Sequence, residues 1–158
     1  MKIDTYRETD LEEIIDLFYD TVHTVNAKDY SQEQLDAWAP RDGKEIRKLS
    51  WQNSLRQHMT YVVRMDNKIV GFGDLTDTGY LDRLFVHKDY QSQGIATALL
   101  QRLEAKAKQL NLHEIHVDAS ITAKPFFEHH GYQVIREQTV ERQDVTLTNY
   151  HMVKQLER

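Results

Sequence analysis

The residues best suited to chemistry lie where a strand-like Leu84-Phe85-Val86 runs into Gln91-Ser92-Gln93-Gly94-Ile95-Ala96-Thr97 and then a helix-like stretch. Small residues at Gly94 and Ala96 let other groups approach the main chain closely. The first turn of a helix also carries N–H groups without intrahelical partners, which suit a phosphate. A polyphosphate can therefore be held here without any basic cluster. The alternative is that Gly94 only permits a tight strand-to-helix turn. Eight histidines raise the question of a metal through His113 with His116, or His129 with His130. A three-residue spacing on a strand places the first pair on opposite faces. Adjacent helical residues point about 100° apart, so neither pair chelates unaided, and no metal is expected. No G-x-G-x-x-G follows the first strand and no Gly-Lys-Ser or Gly-Lys-Thr occurs, which disfavours a dinucleotide fold and a Walker loop.

Composition narrows the classes further. At 158 residues, 40% hydrophobic and 28% charged, the chain fits one domain spanning 1–158. A net charge of -5 argues against a general nucleic-acid or anionic-membrane surface, leaving small molecules or proteins as partners. No apolar run is long enough to span a bilayer and the start, Met1-Lys2-Ile3-Asp4, is not a secretion signal, so a cytoplasmic location is expected. With no cysteine there is no disulfide, no zinc-thiolate site and no acyl-cysteine intermediate.

The elements that must position the loop follow from periodicity. A strand over about Lys2 to Tyr6 precedes Thr9 and Glu12, a capping-box pair, and a helix whose apolar stripe is Leu11, Ile14, Ile15, Phe18, Val22 and Val25. Ser31 and Gln34 repeat that signal before a short helix with Leu35 and Trp38 that stops ahead of Pro40. A third helix covers Glu45 to Gln57. The pattern then turns extended: 61–65 and 69–73 form a hairpin about Asp66-Asn67, and Tyr80 to Val86 delivers the chain into the loop. Ile95, Leu99, Leu103, Ala107 and Leu110 give the next helix its buried face. A central strand over His113 to Ala119 follows, then a short helix over Thr122 to His130 with Pro125 in its first turn and Gly131 closing it. Strands over Tyr132 to Glu141 and Val145 to Gln155 pair about Gln143-Asp144.

These residues resemble the GNAT superfamily of acetyl-coenzyme A-dependent N-acetyltransferases. Its pyrophosphate motif is matched by Gln91, Gly94 and Ala96. A second block, a small residue, an aromatic pair, and Gly followed by an aromatic, is matched by Ala123, Phe126, Phe127, Gly131 and Tyr132. The resemblance spans nearly the whole chain and implies an α/β (α+β) fold: a mixed, mostly antiparallel twisted sheet of about seven strands flanked by helices, with splayed central strands. It further implies that acetyl-CoA is the cosubstrate, with its pantetheine arm lying between Tyr80–Val86 and His113–Ala119. Backbone groups of Leu84 and Val86 would hold the pantetheine amides, and an N–H near Phe85 would polarise the thioester carbonyl. The N–H groups of Gln91, Ser92, Gln93, Gly94, Ile95 and Ala96, with Thr97 next along, would take the pyrophosphate. Ser120 would hydrogen-bond the cofactor arm or else cap the following helix.

The acceptor's ammonium must lose a proton, since an alkylammonium has a pKa near ~10.4. The resemblance puts the base at Tyr80 or Asp82, on one face by the two-residue period; Asp82 is the preferred base, with Asp74 at the end of the preceding strand as second choice. An ion pair with Arg83 is the competing role for Asp82, and a strand-end turn that for Asp74. Phe127 stands where relatives carry the tyrosine that reprotonates the departing thiolate, so that acid is missing, or Tyr132, Tyr150 or water supplies it. Acceptor binding falls to the first two helices, where Tyr19, His23, Tyr30 and Trp38 are aromatic walls with polar tips, or else core. Asp20, Asp29 and Asp36 lean toward a cationic acceptor, an amine on a small molecule or peptide. Two functional classes follow: a transferase acting by direct attack in a ternary complex, or an acyl-CoA-binding sensor or interaction module with little catalysis. By analogy with relatives a homodimer through the C-terminal strands is an open expectation.

Overall fold

A computed structural model describes residues 1–156 of the chain. β1 (Lys2–Thr5) leads into α1 (Leu11–Thr24). The Thr9–Glu12 capping box is replaced by another device. The Asp10 carboxylate accepts the Arg7 N–H at 2.9 Å and grips the Arg64 guanidinium at 2.8 Å, so a buried ion pair to the sheet fixes the helix entry. The second capping box forms as read: Ser31 Oγ accepts the Gln34 N–H at 3.1 Å and Gln34 Oε1 accepts the Ser31 N–H at 2.9 Å. It opens α2 (Gln32–Trp38), and α3 (Lys44–Gln57) follows. The β2 (Met59–Met65) and β3 (Lys68–Leu75) hairpin turns at Asp66 and Asn67, with φ of 53° and 63°, the positive values its two-residue loop requires. β4 (Tyr80–Val86), α4 (Ile95–Gln109), β5 (Glu114–Ser120), α5 (Lys124–His129), β6 (Gln133–Arg142) and β7 (Val145–Gln155) complete the chain. No helix of the described residues is long and apolar enough to cross a membrane.

The seven strands form one sheet in the order β1-β2-β3-β4-β5-β7-β6. One face carries α4 and α5 over Val63, Val70, Leu81 and Ile115; the other carries α1 to α3 over Val62, Ile69 and Phe72. Ile95, Leu99, Leu103 and Ala107 of α4 are buried as their spacing requires, whereas Leu110 lies past the helix end and is 42% exposed. In α1 the buried set widens beyond Ile14, Ile15, Phe18 and Val22 to include Tyr19.

Every neighbouring pair of strands is antiparallel except β4 and β5, which run parallel and pair only at Tyr80 with His116 and Leu81 with Val117. Beyond those two rungs the strands part. The β3–β4 register moves from Leu75 opposite Leu81 to Asp74 opposite Arg83, so Asp82 is an extra residue on β4, a bulge that bends the strand. The apex of the wedge is held by Gly79, whose carbonyl accepts the His116 N–H at 2.9 Å. Gly79 has φ of 96°, and a Cβ there would lie 2.7 Å from the Glu114 carbonyl oxygen. Gly79→Ala must therefore distort the apex and lose about 1–3 kcal/mol of stability. Urea unfolding should show a lowered midpoint; an unmoved midpoint contradicts this account of the apex.

Candidate active site

The parting of β4 from β5 opens a cleft of about 610 Å³ that runs from the glycine loop to the inner ends of α1, α2 and α3. At the loop end Ser92 and Gly94 take positive φ, 60° and 81°. Such alternation turns successive N–H groups to one side as a concave anion site. The first intrahelical bond of α4 runs from the Ala98 N–H to the Gly94 carbonyl at 3.0 Å, so the Ile95, Ala96 and Thr97 N–H groups ahead of it have no helical acceptor. A Cβ built on Gly94 meets nothing within 4 Å, so the cradle is open. Gln91 is fixed below it: its Nε2 donates to the Val86 carbonyl at 2.7 Å and the His87 carbonyl at 3.3 Å. Ser92, Gly94, Ile95, Ala96 and Thr97 line the cleft and Gln93 does not. Ile95 contributes only backbone, since its side chain is in the core, and the Thr97 hydroxyl is bonded to His130 Nε2 at 3.2 Å.

Along the wedge the His87 N–H donates to the Val70 carbonyl across β3 at 2.8 Å. By strand alternation Phe85 also turns its N–H to β3, while Leu84 and Val86 turn theirs to the gap. Near Phe85, then, the N–H groups that face the gap are those of Leu84 and Val86, and not that of Phe85 itself. The bulge at Asp82 inverts the parity that counting by two from Tyr80 gives. The Phe85 ring instead packs on Phe72 and edge-on to Phe18, with centroids 5.8 and 5.1 Å away. Ser120 lies on the cleft wall, but its Oγ already accepts the Ala123 N–H at 3.1 Å, a capping role. Phe127, 3% exposed, lies at the cleft floor against Phe126 and Tyr132. The Tyr132 hydroxyl donates to Glu104 at 2.8 Å, and burial followed by that carboxylate pushes the phenol well above its ordinary range. It is engaged away from the cleft, which Tyr150 does not line either.

The acidic residues separate in a way the sequence did not disclose. Asp82 lines the cleft, and its carboxylate lies 3.5 Å from the Arg83 guanidinium and 3.9 Å from His58 Nδ1. Asp74, expected as the second base, is wholly buried beneath β4 and does not reach the cleft. One of its oxygens takes the His58 Nδ1 at 2.8 Å and the Arg83 guanidinium. Burial pushes the Asp74 carboxyl up against those two partners, and its hydrogen bond pushes His58 up in turn. Asp74, Asp82 and His58 offer ligand atoms within 4.8 Å of one another. The Arg83 cation already stands among them, stacked on Trp51 at 4.3 Å, and supplies the positive charge a metal would bring.

Tyr80 also lines the cleft, but its hydroxyl turns away from Asp82 and donates to Asp118 Oδ2 at 2.8 Å. Burial and then that carboxylate raise the phenol far above its ordinary value, so it stays neutral. Burial alone would raise Asp118; the contact with His151, a hydrogen bond when Nδ1 carries the proton, and the hydrogen bonds from Tyr80 and Gln138 outweigh it and hold the carboxyl below the usual range. Sequence reasoning missed Asp118 and His151. Asp118 stands two residues from His116 on one face of β5, yet its partner His151 arrives from β7, so no local spacing reveals the pair.

Of the expected acceptor walls, Tyr30 and Trp38 line the cleft, their rings edge-on at 5.6 Å. The Tyr30 hydroxyl is a strut, donating to the Thr148 carbonyl at 2.7 Å and accepting the Ile121 N–H at 2.9 Å. Tyr19 and His23 are corrected to structural roles. The first is a 2% exposed core ring, and the second is packed with Nε2 on the Ala39 carbonyl at 2.7 Å. Both lie on the inward side of α1, where helical spacing alone does not separate core from cleft. Asp20, Asp29 and Asp36 do not line the cleft either. Phe18, Trp51 and Arg47 complete that end; Arg47 sits 5.0 Å from the Phe18 ring centre and donates to the Trp38 carbonyl at 2.8 Å.

Comparison with known proteins agrees with this geometry. Residues 26–154 match the family model of the acetyltransferase (GNAT) domain. The chain is 34% identical over 152 residues to the uncharacterized N-acetyltransferase YafP of Escherichia coli (strain K12), covering 96% of this chain and 94% of that protein. A GCN5-related N-acetyltransferase from Rhodopseudomonas palustris superposes with a TM-score of 0.92 at 29% identity, over 98% of this chain and 95% of that one. The PaiA N-acetyltransferase of Thermoplasma acidophilum, solved in complex with coenzyme A, shares the fold at TM-score 0.77 and 20% identity, with 98% of each chain covered. The putative acetyltransferase YncA of Salmonella typhimurium, solved with acetyl-CoA, does so at 0.71 and 16%, over 100% of this chain and 95% of that one. With its sheet order, its β4–β5 wedge and its glycine loop, this chain is an acyltransferase that belongs to the GNAT superfamily of N-acetyltransferases.

Proposed function

We propose that the protein transfers the acetyl group of acetyl-CoA to an amine of a small molecule or peptide, by direct attack with both substrates bound. The observation that carries this reading is the wedge with its loop: the Leu84 and Val86 N–H groups, which no neighbouring strand pairs, lead to an open nest at Gly94. A pantetheine arm has amides that complete a strand edge, and a diphosphate has the charge that the nest and the N-terminus of α4 receive. The solved relatives from Thermoplasma acidophilum and Salmonella typhimurium hold coenzyme A and acetyl-CoA, in keeping with such a fit.

When bound, the thioester supplies a carbonyl carbon already open to attack. The Leu84 N–H, turned into the gap, stabilises charge developing on that carbonyl oxygen. Phe18, Trp38 and Trp51 enclose the acceptor and exclude water, and Asp82 on the cleft wall receives its ammonium as a counter-ion. Holding the two reactants together supplies much of the acceleration. Overall an ammonium and a thioester give an amide, a thiol and one released proton. Phe127 has no proton to give the departing thiolate. A thiol pKa near ~8.5 leaves that proton to water or to the attacking nitrogen. The missing tyrosine is the one feature that favours the second reading, a coenzyme A-binding module without efficient turnover.

Valine at position 94 is strained at a φ of 81° and projects into the nest. Losing even two charge-assisted hydrogen bonds, about 1.5–3 kcal/mol each, weakens coenzyme A binding by about a hundredfold or more. Calorimetry on Gly94→Val should read that loss, and wild-type affinity in the variant would contradict the loop assignment. Thiol release from acetyl-CoA, followed over a polyamine, an aminoglycoside, free amino acids and a peptide with a free N-terminus, tests transfer itself. Turnover dependent on one of these amines, with a raised KM for it in Asp82→Asn, is expected. Tight coenzyme A binding without turnover on any of them would select the binding module.

A further inference from the structure

An unbroken chain of polar contacts leaves the cleft at Tyr80 and ends at the surface. Tyr80 Oη donates to Asp118 Oδ2 at 2.8 Å, and Asp118 Oδ1 meets His151 Nδ1 at 2.8 Å. His151 Nε2 meets His116 Nδ1 at 3.1 Å, and His116 Nε2 lies 3.3 Å from Glu114 Oε2. Tyr80 and Asp118 line the cleft. His116 and Glu114 have side chains 38% and 40% exposed. Gln138 Nε2 braces the start of the chain, donating to Asp118 Oδ1 at 3.0 Å and to Asn149 at 2.9 Å.

Counting protons gives this chain a direction. Three contacts involve the two imidazoles, at Asp118, between the rings, and at Glu114, and each is a hydrogen bond only if one proton lies in it. Two neutral imidazoles carry one N–H each, one too few. A third proton completes all three contacts and leaves one positive charge on the ring pair, between two carboxylates. The neutral pair is thus a sink for one proton. Its entry is Tyr80, whose single hydroxyl proton is committed to Asp118, so its lone pairs are left for a donor in the cleft. Asp82 is the poorer acceptor, because its carboxylate already faces Arg83 and His58.

Resting on the transferase reading of the cleft, we propose that the proton of the acceptor's ammonium leaves through Tyr80 and Asp118 into the His151–His116 pair, which discharges it to solvent beside Glu114. An ammonium N–H bond breaks as a new Oη–H forms on Tyr80, whose original proton passes to Asp118 Oδ2. In the tautomer whose two N–H protons lie between the rings and toward Glu114, His151 Nδ1 is free to accept, and the carboxyl turns over and gives that proton to it, completing the cationic pair. His116 then releases one proton to water. The freed nitrogen lone pair attacks the thioester carbonyl, and the second nitrogen proton ends on the sulfur of the thiol. Asp118 and Glu114 on β5 flank the pair and, on β6, Arg136 stands opposite His151 in the register; Asp82 and Arg142 act on Tyr80.

The test uses the full chain and the amine turned over fastest among those named above. Tyr80→Phe, which removes one hydroxyl, and His151→Gln should each lower kcat by about a hundredfold while keeping the KM for acetyl-CoA. In the wild type kcat falls on the acid side as the pair fills. In His151→Gln that limb should move to the acceptor's own ammonium range, so the two enzymes converge at high pH. Nitrogen-detected NMR of the resting protein should show His116 and His151 taking up one proton between them rather than two. Should both variants keep kcat within about threefold and the wild-type acid limb while Asp82→Asn is inactive, Asp82 takes the proton and the relay is overturned. Independent uptake of two protons by the rings overturns it as well. A wild type that binds coenzyme A yet acetylates no amine removes relay and transferase reading together, whereas an active wild type with unaffected variants removes the relay alone.

Discussion

Two backbone rungs, Tyr80 with His116 and Leu81 with Val117, hold the only parallel pair of the sheet together before it opens. Past them the chain runs on with N–H and C=O groups that no strand satisfies. Exposed amide edges inside a folded domain are costly unless water or a ligand meets them. The Val86 carbonyl shows how the protein handles this edge, since Thr21 Oγ1 and Gln91 Nε2 both donate to it, at 3.1 and 2.7 Å. What stays open is the stretch that an amide-bearing arm would complete. Glycine at 79 closes the apex, the bulge at Asp82 turns the strand away, and the positive φ values at Ser92 and Gly94 end the edge in a nest.

Around that edge the charges have distinct duties. The loop end offers main-chain donors on an open, side-chain-free cradle at Gly94. This agrees with a chain whose net charge is -5. Toward the other end of the cleft the ionic groups come in two sets, divided by the bulge. On one side Asp74, Arg83 and His58 lock β3, β4 and the end of α3 together, and Asp82 meets the cleft beside them. On the other side Tyr80 is tied to Asp118 and the histidine pair. The first set locks strands and helix together; the second is a line of contacts that runs from the cleft to the surface.

Features that depend on neighbours in sequence are legible, except the Thr9–Glu12 box, which the long-range Asp10–Arg64 pair displaces. The Ser31–Gln34 box, the Asp66-Asn67 turn, the α4 stripe and the glycine loop all follow from residue type at short spacing. The wedge came from resemblance, because periodicity carries no sign of where two strands part. One extra residue at Asp82 shifts the alternation that counting by two from Tyr80 gives, which is why the Phe85 N–H faces β3 while those of Leu84 and Val86 face the gap. Tyr19 and His23 were misplaced because a broad apolar face on α1 leaves no gap in which a binding residue stands out. Asp118 with His151 was invisible for another reason: its two halves meet only once β7 has inserted between β5 and β6.

The wedge is most directly tested by amide NMR of the isotopically labelled protein titrated with coenzyme A. The account predicts that the Leu84 and Val86 amides and those from Ser92 to Thr97 shift and gain protection from exchange, with the Phe85 amide far less affected because it already faces β3. Perturbations confined to another part of the surface, or an unprotected Leu84 and Val86 at saturation, would contradict it.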